Sequence, residues 1–224
     1  MTAKPIVVFD LDGTLVDSGG DLIRTLNIII AEKGLPEIGK DHLGDLVGQG
    51  ALKMIERAYA LHETLLDDET RADLHKRFLS VYEENIAVET RPFDGVLEVL
   101  EALFERGTLM AVCTNKYEDL SRKLLDELSL TAFFAAICGS DTFPVRKPDP
   151  AHLTGTIEQA GGVVERAVMI GDSATDINTA KAARIPVIAV PFGYSGVPVE
   201  TLGPDRIVSH YRDMLPAIDA YIGG

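Results

Sequence analysis

The chain has 224 residues, 46% hydrophobic and 25% charged, the balance of a folded globular protein rather than a disordered one. Its 21 basic and 35 acidic residues leave a formal charge of −14, which argues against nucleic acid or an anionic membrane as the main partner. An anionic substrate would be repelled by the field of the whole protein, so attraction must be built locally from a metal ion, a lysine and aligned backbone amides.

In chain order, Pro5–Leu11 is rich in Val, Ile and Phe and reads as a buried strand. From Asp21 to about Asn85 the apolar pattern is helical. Leu22, Ile23, Leu26, Ile29 and Ile30 mark one helix, stopped at Gly34. Leu52, Ile55, Ala58 and Tyr59 mark a second, and Leu74, Phe78, Val81 and Tyr82 a third. After Arg91-Pro92, helices and strands alternate: a helix at Gly95–Arg106, a strand at Leu109–Cys113, a helix at Glu118–Leu128 and a strand at Ala136–Cys138. A helix then starts with Asp149 as N-cap and Pro150 at its first position. The strand Val168–Ile170, the helix Thr175–Ala183 and the strand Pro186–Val190 follow.

This alternation predicts an α/β class with a Rossmann-like parallel sheet covered by helices on both faces. The expected division is a catalytic core over residues 1–17 and 91–224, with an inserted helical cap over 18–90. No apolar run approaches the roughly 20 residues that cross a bilayer. The N-terminal apolar segment is interrupted by Asp10, too early for a signal peptide, so a cytoplasmic protein is expected. Cys113 and Cys138 sit in apolar stretches and read as buried free thiols rather than a disulfide framework or a zinc site.

Ligands of open α/β sheets bind beyond the carboxyl ends of the strands. Those ends carry Asp10 and Asp12, then Thr114 and Asn115, then Gly171, Asp172, Ser173 and Asp176, and Lys147 adds a cation from a loop. Asp10 and Asp12 are two apart, so an extended backbone projects both carboxylates to one side. Two carboxylates about 4 Å apart repel by roughly 4 kcal/mol at an effective dielectric near 20. The cluster therefore calls for a cation or for protonation, and oxygen ligands beside a phosphate suit Mg²⁺. A carboxylate nucleophile is established chemistry for phosphoryl transfer, with a second carboxyl as general acid and base. The Thr114 hydroxyl, the Asn115 N–H and the Lys147 ammonium are candidates to hold the phosphoryl oxygens.

Each piece taken alone has a plainer meaning. Asp12-Gly13 between apolar residues is also a hairpin signal, and Thr114-Asn115 is also a turn. Lys147 alone reads as a solvated surface lysine, and Asp176 alone as a first-turn helix residue favoured by the dipole. A calcium loop fails because, with Gly13 as its sixth position, the first falls on Val8 and the twelfth on Gly19. The run Gly34–Lys40 imitates a phosphate loop but carries Asp41 where Ser or Thr is needed, and it follows a helix.

Four segments in order settle the choice: Asp10–Ser18, Cys113–Lys116, Arg146–Pro150 and Gly171–Asp176. Together they resemble the four motifs of the haloacid dehalogenase superfamily, over essentially the whole chain. The resemblance implies Asp10 as nucleophile and Mg²⁺ ligand, and Asp12 as general acid and base that lends its backbone carbonyl to the metal. It implies Thr114 and Lys147 on the phosphoryl group, Asp172 as a further metal ligand and Asp176 in the metal's outer shell. Two aspartates in the first motif look like the phosphatase and phosphomutase branches rather than the dehalogenases. Arg91–Val96, Cys113–Lys116 and Ile188–Tyr194 are most similar to phosphoglycolate phosphatases and their close relatives. One departure is Arg184, where relatives carry Gly at a helix exit.

The expected function is therefore Mg²⁺-dependent hydrolysis of a small phosphorylated metabolite, 2-phosphoglycolate first, through an aspartyl-phosphate, by a monomer or homodimer. Gln49, in the loop Gly48–Gly50, and Arg57 are candidate specificity contacts in the cap, although the loop also reads as a plain interhelical turn. The alternatives are a β-phosphoglucomutase-type phosphomutase and a phosphatase for another small metabolite. A phosphonate hydrolase would need a Schiff-base lysine, for which Lys33, Lys40, Lys53 and Lys76 are candidates by type only. A non-catalytic regulatory protein on the same fold is the alternative of a different class.

Overall fold

The computed structural model describes residues 4–223, so residues 1–3 and 224 of the expected core lie outside the described residues. Strand β1 (Ile6–Phe9) is followed by the two-residue strand β2 (Val16–Asp17). Four helices come next: α1 (Gly19–Ala31), the short α2 (Leu43–Leu46), α3 (Ala51–Leu61) and α4 (Asp68–Glu84). A second short strand, β3 (Arg91–Pro92), brings the chain back. The remainder alternates as α5 (Val96–Glu105), β4 (Leu109–Cys113), α6 (Glu118–Glu127), β5 (Ala136–Cys138), α7 (Pro150–Gln159), β6 (Ala167–Gly171), α8 (Ala174–Ala183) and β7 (Val187–Ala189). Strand β8 (Arg206–Ile207) and α9 (Met214–Ile222) close the chain.

Six strands form one parallel sheet in the order β5-β4-β1-β6-β7-β8. Strand β1 is central and wholly buried, which explains its unbroken run Ile-Val-Val-Phe. Its side chains alternate between two cores. Val7 and Phe9 pack with α5, α6 and α9, whereas Ile6 and Val8 pack with α7 and α8. Full burial of each such side chain contributes about 1.5–3 kcal/mol, so the strand is anchored from both faces. The chain builds β4 and β5 to one side of β1 and β6 to β8 to the other, which makes the carboxyl end of β1 the switch point of the sheet.

The four helices between β2 and β3 contain no strand, as their periodicity predicts. Leu74, Phe78, Val81 and Tyr82 of α4 are all buried. Helix α1 packs on α4, and α3 on α4. The segment leaves and re-enters the core through an antiparallel ribbon, with Val16 opposite Pro92 and Asp17 opposite Arg91. Asp12-Gly13 does form a turn, but not a hairpin between consecutive strands, since β1 pairs with β4 and β6 while β2 pairs with β3. Both cysteines are buried and free. No helix among the described residues is long and apolar enough to cross a membrane.

Candidate active site

Three sheet strands end directly in polar residues. Asp10 follows β1, Thr114 follows β4 and Asp172 follows β6, all buried despite their polarity. Asp10 is held in line with the sheet by its own N–H, which donates to the Ile170 carbonyl at 2.9 Å. Gly13 then turns the chain with φ +84°, and a Cβ there would stand 2.5 Å from Oδ2 of Asp172. Only glycine satisfies both demands.

Oxygens of Asp10, Asp172 and Asp176 lie within 4.8 Å of one another. Lys147 is driven into this cluster, with Nζ 2.7 Å from Oδ1 of Asp10 and 2.6 Å from Oδ1 of Asp176. The other oxygen of Asp176 caps α8, accepting from Ser173 N at 3.1 Å and Oγ at 2.7 Å. Asp172 accepts from the Thr14 hydroxyl at 3.1 Å and from the Tyr194 N–H at 2.5 Å. The loop that delivers Lys147 is fixed from behind by buried His152. Its Nδ1 accepts from the Lys147 N–H at 3.2 Å while Nε2–H donates to the Gly139 carbonyl at 3.0 Å. Burial and the nearby Lys147 charge push that imidazole down to about 4, so it is neutral and this tautomer is retained.

Asp12 faces a different partner. Its Oδ2 lies 2.9 Å from Lys116 Nζ and its Oδ1 accepts from Ser18 Oγ at 2.5 Å. The Asp12 carboxylate is thus separate from the three-carboxylate cluster, while its carbonyl accepts no hydrogen bond among the described residues. Lys116 Nζ also donates to Tyr82 Oη of α4 at 3.0 Å. Asn115 Nδ2 donates to the carbonyls of Lys147 at 3.0 Å and Gly48 at 3.4 Å, and its backbone N–H is uncommitted among the described residues.

The electrostatics call for a cation. Four carboxylates, of Asp10, Asp12, Asp172 and Asp176, face two ammonium groups, of Lys116 and Lys147. Burial first, and then the charge of Asp176, push the Asp10 carboxyl up to about 7, against the opposing pull of Lys147. Burial and its two acidic neighbours raise Asp172 as well. Such shifts are the cost of crowding carboxylates away from water, and a divalent ion would relieve it. The donor set is all oxygen and fits a hard cation.

A cavity opens above Asp10 and Asp12, between the sheet rim and the helical segment. Thr114, Asn115, Lys116, Tyr82 and His75 line it, together with apolar side chains of α2, α3 and α4. The loop 48–50 divides around it. Gly50 lines this cavity, Gln49 lines a second one, and Gly48 borders both. Arg57 also lines the second cavity, and its Nη1 donates to the Asp45 carbonyl at 2.6 Å. Gln49 and Arg57, the candidate specificity contacts, thus line this second cavity together with Ser173, Thr175 and Tyr194. Sequence reasoning assigned no role to Lys116, Tyr82, Thr14, Ser18 or Tyr194. Thr14, Ser18 and Lys116 lie inside the quoted motifs, so their adjacency to Asp12 and Thr114 was the available signal; Tyr82 carried none beyond its place on an apolar face.

A parallel sheet with clustered aspartates beyond β1 and β6 and a lysine between them defines a class of hydrolase. The chain belongs to the haloacid dehalogenase-like hydrolase family, whose sequence pattern matches residues 7–190. It is 48% identical over 215 residues to a phosphoglycolate phosphatase of Agrobacterium fabrum, covering 96% of this chain and 92% of that one. Identity is also 48% to a phosphoglycolate phosphatase of Mesorhizobium japonicum, covering 93% and 92% of the two chains. A crystal structure described as a predicted phosphoglycolate phosphatase from Haemophilus somnus superposes with a TM-score of 0.89 at 29% identity, covering 97% of this chain and 99% of that one.

Proposed function

We propose that the protein is a Mg²⁺-dependent phosphatase for 2-phosphoglycolate that works through a phosphorylated Asp10. The observation that carries this reading is the Lys147–Asp10 contact of 2.7 Å at the floor of a cavity whose wall holds Asp12. The names of the relatives at 48% identity support the substrate. So does the cap side of the cavity, where Leu46, Val47, Met54, Phe78 and Leu79 present few partners for sugar hydroxyls.

In this reading an Asp10 oxygen attacks phosphorus in line with the ester oxygen. The phosphorus–oxygen bond to glycolate breaks, and Asp12 delivers a proton to the departing oxygen. Lys116 and Ser18 hold the Asp12 carboxyl in one orientation for that transfer. Asp12 then takes a proton from water, which attacks the phosphorus of the aspartyl-phosphate and frees both Asp10 and inorganic phosphate. Thr114 Oγ1, the Asn115 N–H and Lys147 Nζ bind the phosphoryl oxygens throughout. Asp10, Asp172 and the Asp12 carbonyl would hold Mg²⁺, with Asp176 steering its waters and Lys147 at once. When bound, the ion supplies positive charge against the phosphoryl oxygens and keeps the carboxylates ionised.

A panel of phosphomonoesters with Mg²⁺ tests the proposal. Preferential release of phosphate from 2-phosphoglycolate is expected. Strong turnover of hexose phosphates with none of phosphoglycolate would reject the substrate, and transfer to a sugar instead of water would reject the reaction.

A further inference from the structure

The phosphoryl end of the substrate accounts for Asp10, Thr114, Asn115 and Lys147, but a phosphorylated acid has a second anionic end. Three cation-capable side chains line the cavity: Lys116, Arg146 and His75. Burial lowers the His75 pKa, so its ring is neutral near pH 7. Arg146 is exposed, and an exposed charge is strongly screened by water. Lys116 is buried, with a side chain only 7% exposed.

Counting donors shows what Lys116 has left to offer. An ammonium carries three N–H donors. One goes to Asp12 Oδ2 at 2.9 Å and one to Tyr82 Oη at 3.0 Å. The third has no acceptor among the described residues. Tyr82 is buried too, and its hydroxyl accepts from Lys116 while its own hydrogen has no acceptor among the described residues. The ammonium also lies 4.4 Å from the centre of the Tyr82 ring, which fixes the two groups relative to each other. One N–H from the core and one O–H from α4 therefore stand side by side, unused, in the wall of the cavity.

We infer that Lys116 and Tyr82 together bind the carboxylate of the substrate. The placement suits one substrate class. In a phosphoester whose acid group sits on the carbon next to the ester oxygen, the carboxylate lies immediately beside the oxygen that Asp12 protonates. Lys116 touches Asp12, so it meets both. The anchor reads short 2-phosphorylated acids and leaves carboxyl-free esters without a partner at that position. It spans core and cap, so the acid also ties α4 to the sheet rim. The inference rests on the phosphatase reading for its chemistry but not for its binding.

The experiment compares 2-phosphoglycolate with 2-hydroxyethyl phosphate, which replaces the carboxylate by a neutral group of similar size. The ratio of kcat/KM for the two esters is measured in the wild type, Lys116→Gln, Tyr82→Phe and Arg146→Gln. The same pair is titrated calorimetrically into each variant built on Asp10→Asn, where no turnover intervenes. Loss of a hydrogen bond to a charged group is worth about tenfold or more. The preference for phosphoglycolate is therefore expected to fall at least about tenfold in Lys116→Gln and severalfold in Tyr82→Phe, and to persist in Arg146→Gln. Equal losses for both esters would reduce Lys116 to a support for Asp12 and overturn the anchor. A ratio that collapses only in Arg146→Gln would move the carboxylate to the rim and overturn it as well. If the wild type hydrolyses neither ester, the phosphatase reading of this substrate fails, and the calorimetric ratio still decides the anchor.

Discussion

Nζ of Lys147 lies 2.7 Å from the carboxylate of Asp10, and both side chains are almost wholly buried. A buried ion pair is a poor source of net stability, since desolvation offsets most of the attraction. Its value here is positional. The cation fixes one oxygen of Asp10 and also takes hold of Asp176, so the strand-end carboxylate has one orientation toward the cavity.

Asp10→Asn keeps the size of the side chain and a partial partner for Lys147 but removes the proposed nucleophile. Turnover is expected to fall at least about 10³-fold, as when a covalent catalyst is removed from a site that acts as a unit. The far-ultraviolet circular dichroism should be retained. A phosphoryl adduct seen by mass spectrometry in the wild type should vanish. Near-normal turnover would remove Asp10 from the mechanism.

The same variant reports on the charge of the cluster. In the metal-free protein the Asp10 carboxyl titrates at about 7 instead of 3.8, chiefly because it is buried. Its folded pKa lies above the unfolded one, so the native state holds the extra proton between those values. Stability is then full below the lower value and is lost as pH rises through the window to about 7. Denaturation in chelator should show Asp10→Asn gaining on the wild type as pH climbs, and excess Mg²⁺ should shrink that gain. A gap independent of pH would contradict the assigned titration.

Gly193 is constrained by space rather than by backbone conformation. A Cβ at this position would collide with Oδ2 of Asp172 and with the Gly13 carbonyl. Gly193→Ala should therefore displace Asp172 and cost about 1–3 kcal/mol, as overpacking does. Mg²⁺ affinity is expected to drop roughly 10–100-fold, in line with disturbed ligand support. Equilibrium unfolding and metal titration measure the two effects separately.

Arg184 ends α8 in the left-handed region, with φ 58°. A non-glycine residue pays roughly 1–2 kcal/mol for that conformation. Arg184→Gly should raise stability by up to about 1 kcal/mol in denaturant titrations, since glycine loses more entropy on folding, and should leave turnover unaltered. Destabilisation would mean that the exposed guanidinium has a role at the helix exit.

Much of this architecture was legible in the residues. Strands β1, β4, β5, β6 and β7 of the parallel sheet are runs of apolar residues, and the polar residues after β1, β4 and β6 mark the rim. The capped start of α7 was written in Asp149-Pro150, whose Oδ1 accepts from the Ala151 N–H at 2.9 Å. The ribbon of β2 and β3 was not, because two-residue strands carry no period. Nor was α9, whose apolar face packs under the sheet far from any motif. Gln49 shows the limit most sharply. Gly50 lines the cavity above Asp10 while Gln49 lines the adjoining one, and no local signal separates the two residues. Tyr82 and Lys116 meet across 34 positions, a contact that depends on how α4 docks.

The ribbon that pairs Val16 with Pro92 has a consequence for the history of such a protein. Seen from the sheet, everything between those two residues is the loop of a single long hairpin. The entropy of closing a loop grows only slowly with its length, so helices can be added, removed or replaced there at little cost to the fold. The polar residues stay on the rim while the helical segment over them is free to diverge. Selection for a new substrate can therefore act on the inserted helices alone, with the strand-end aspartates kept in place.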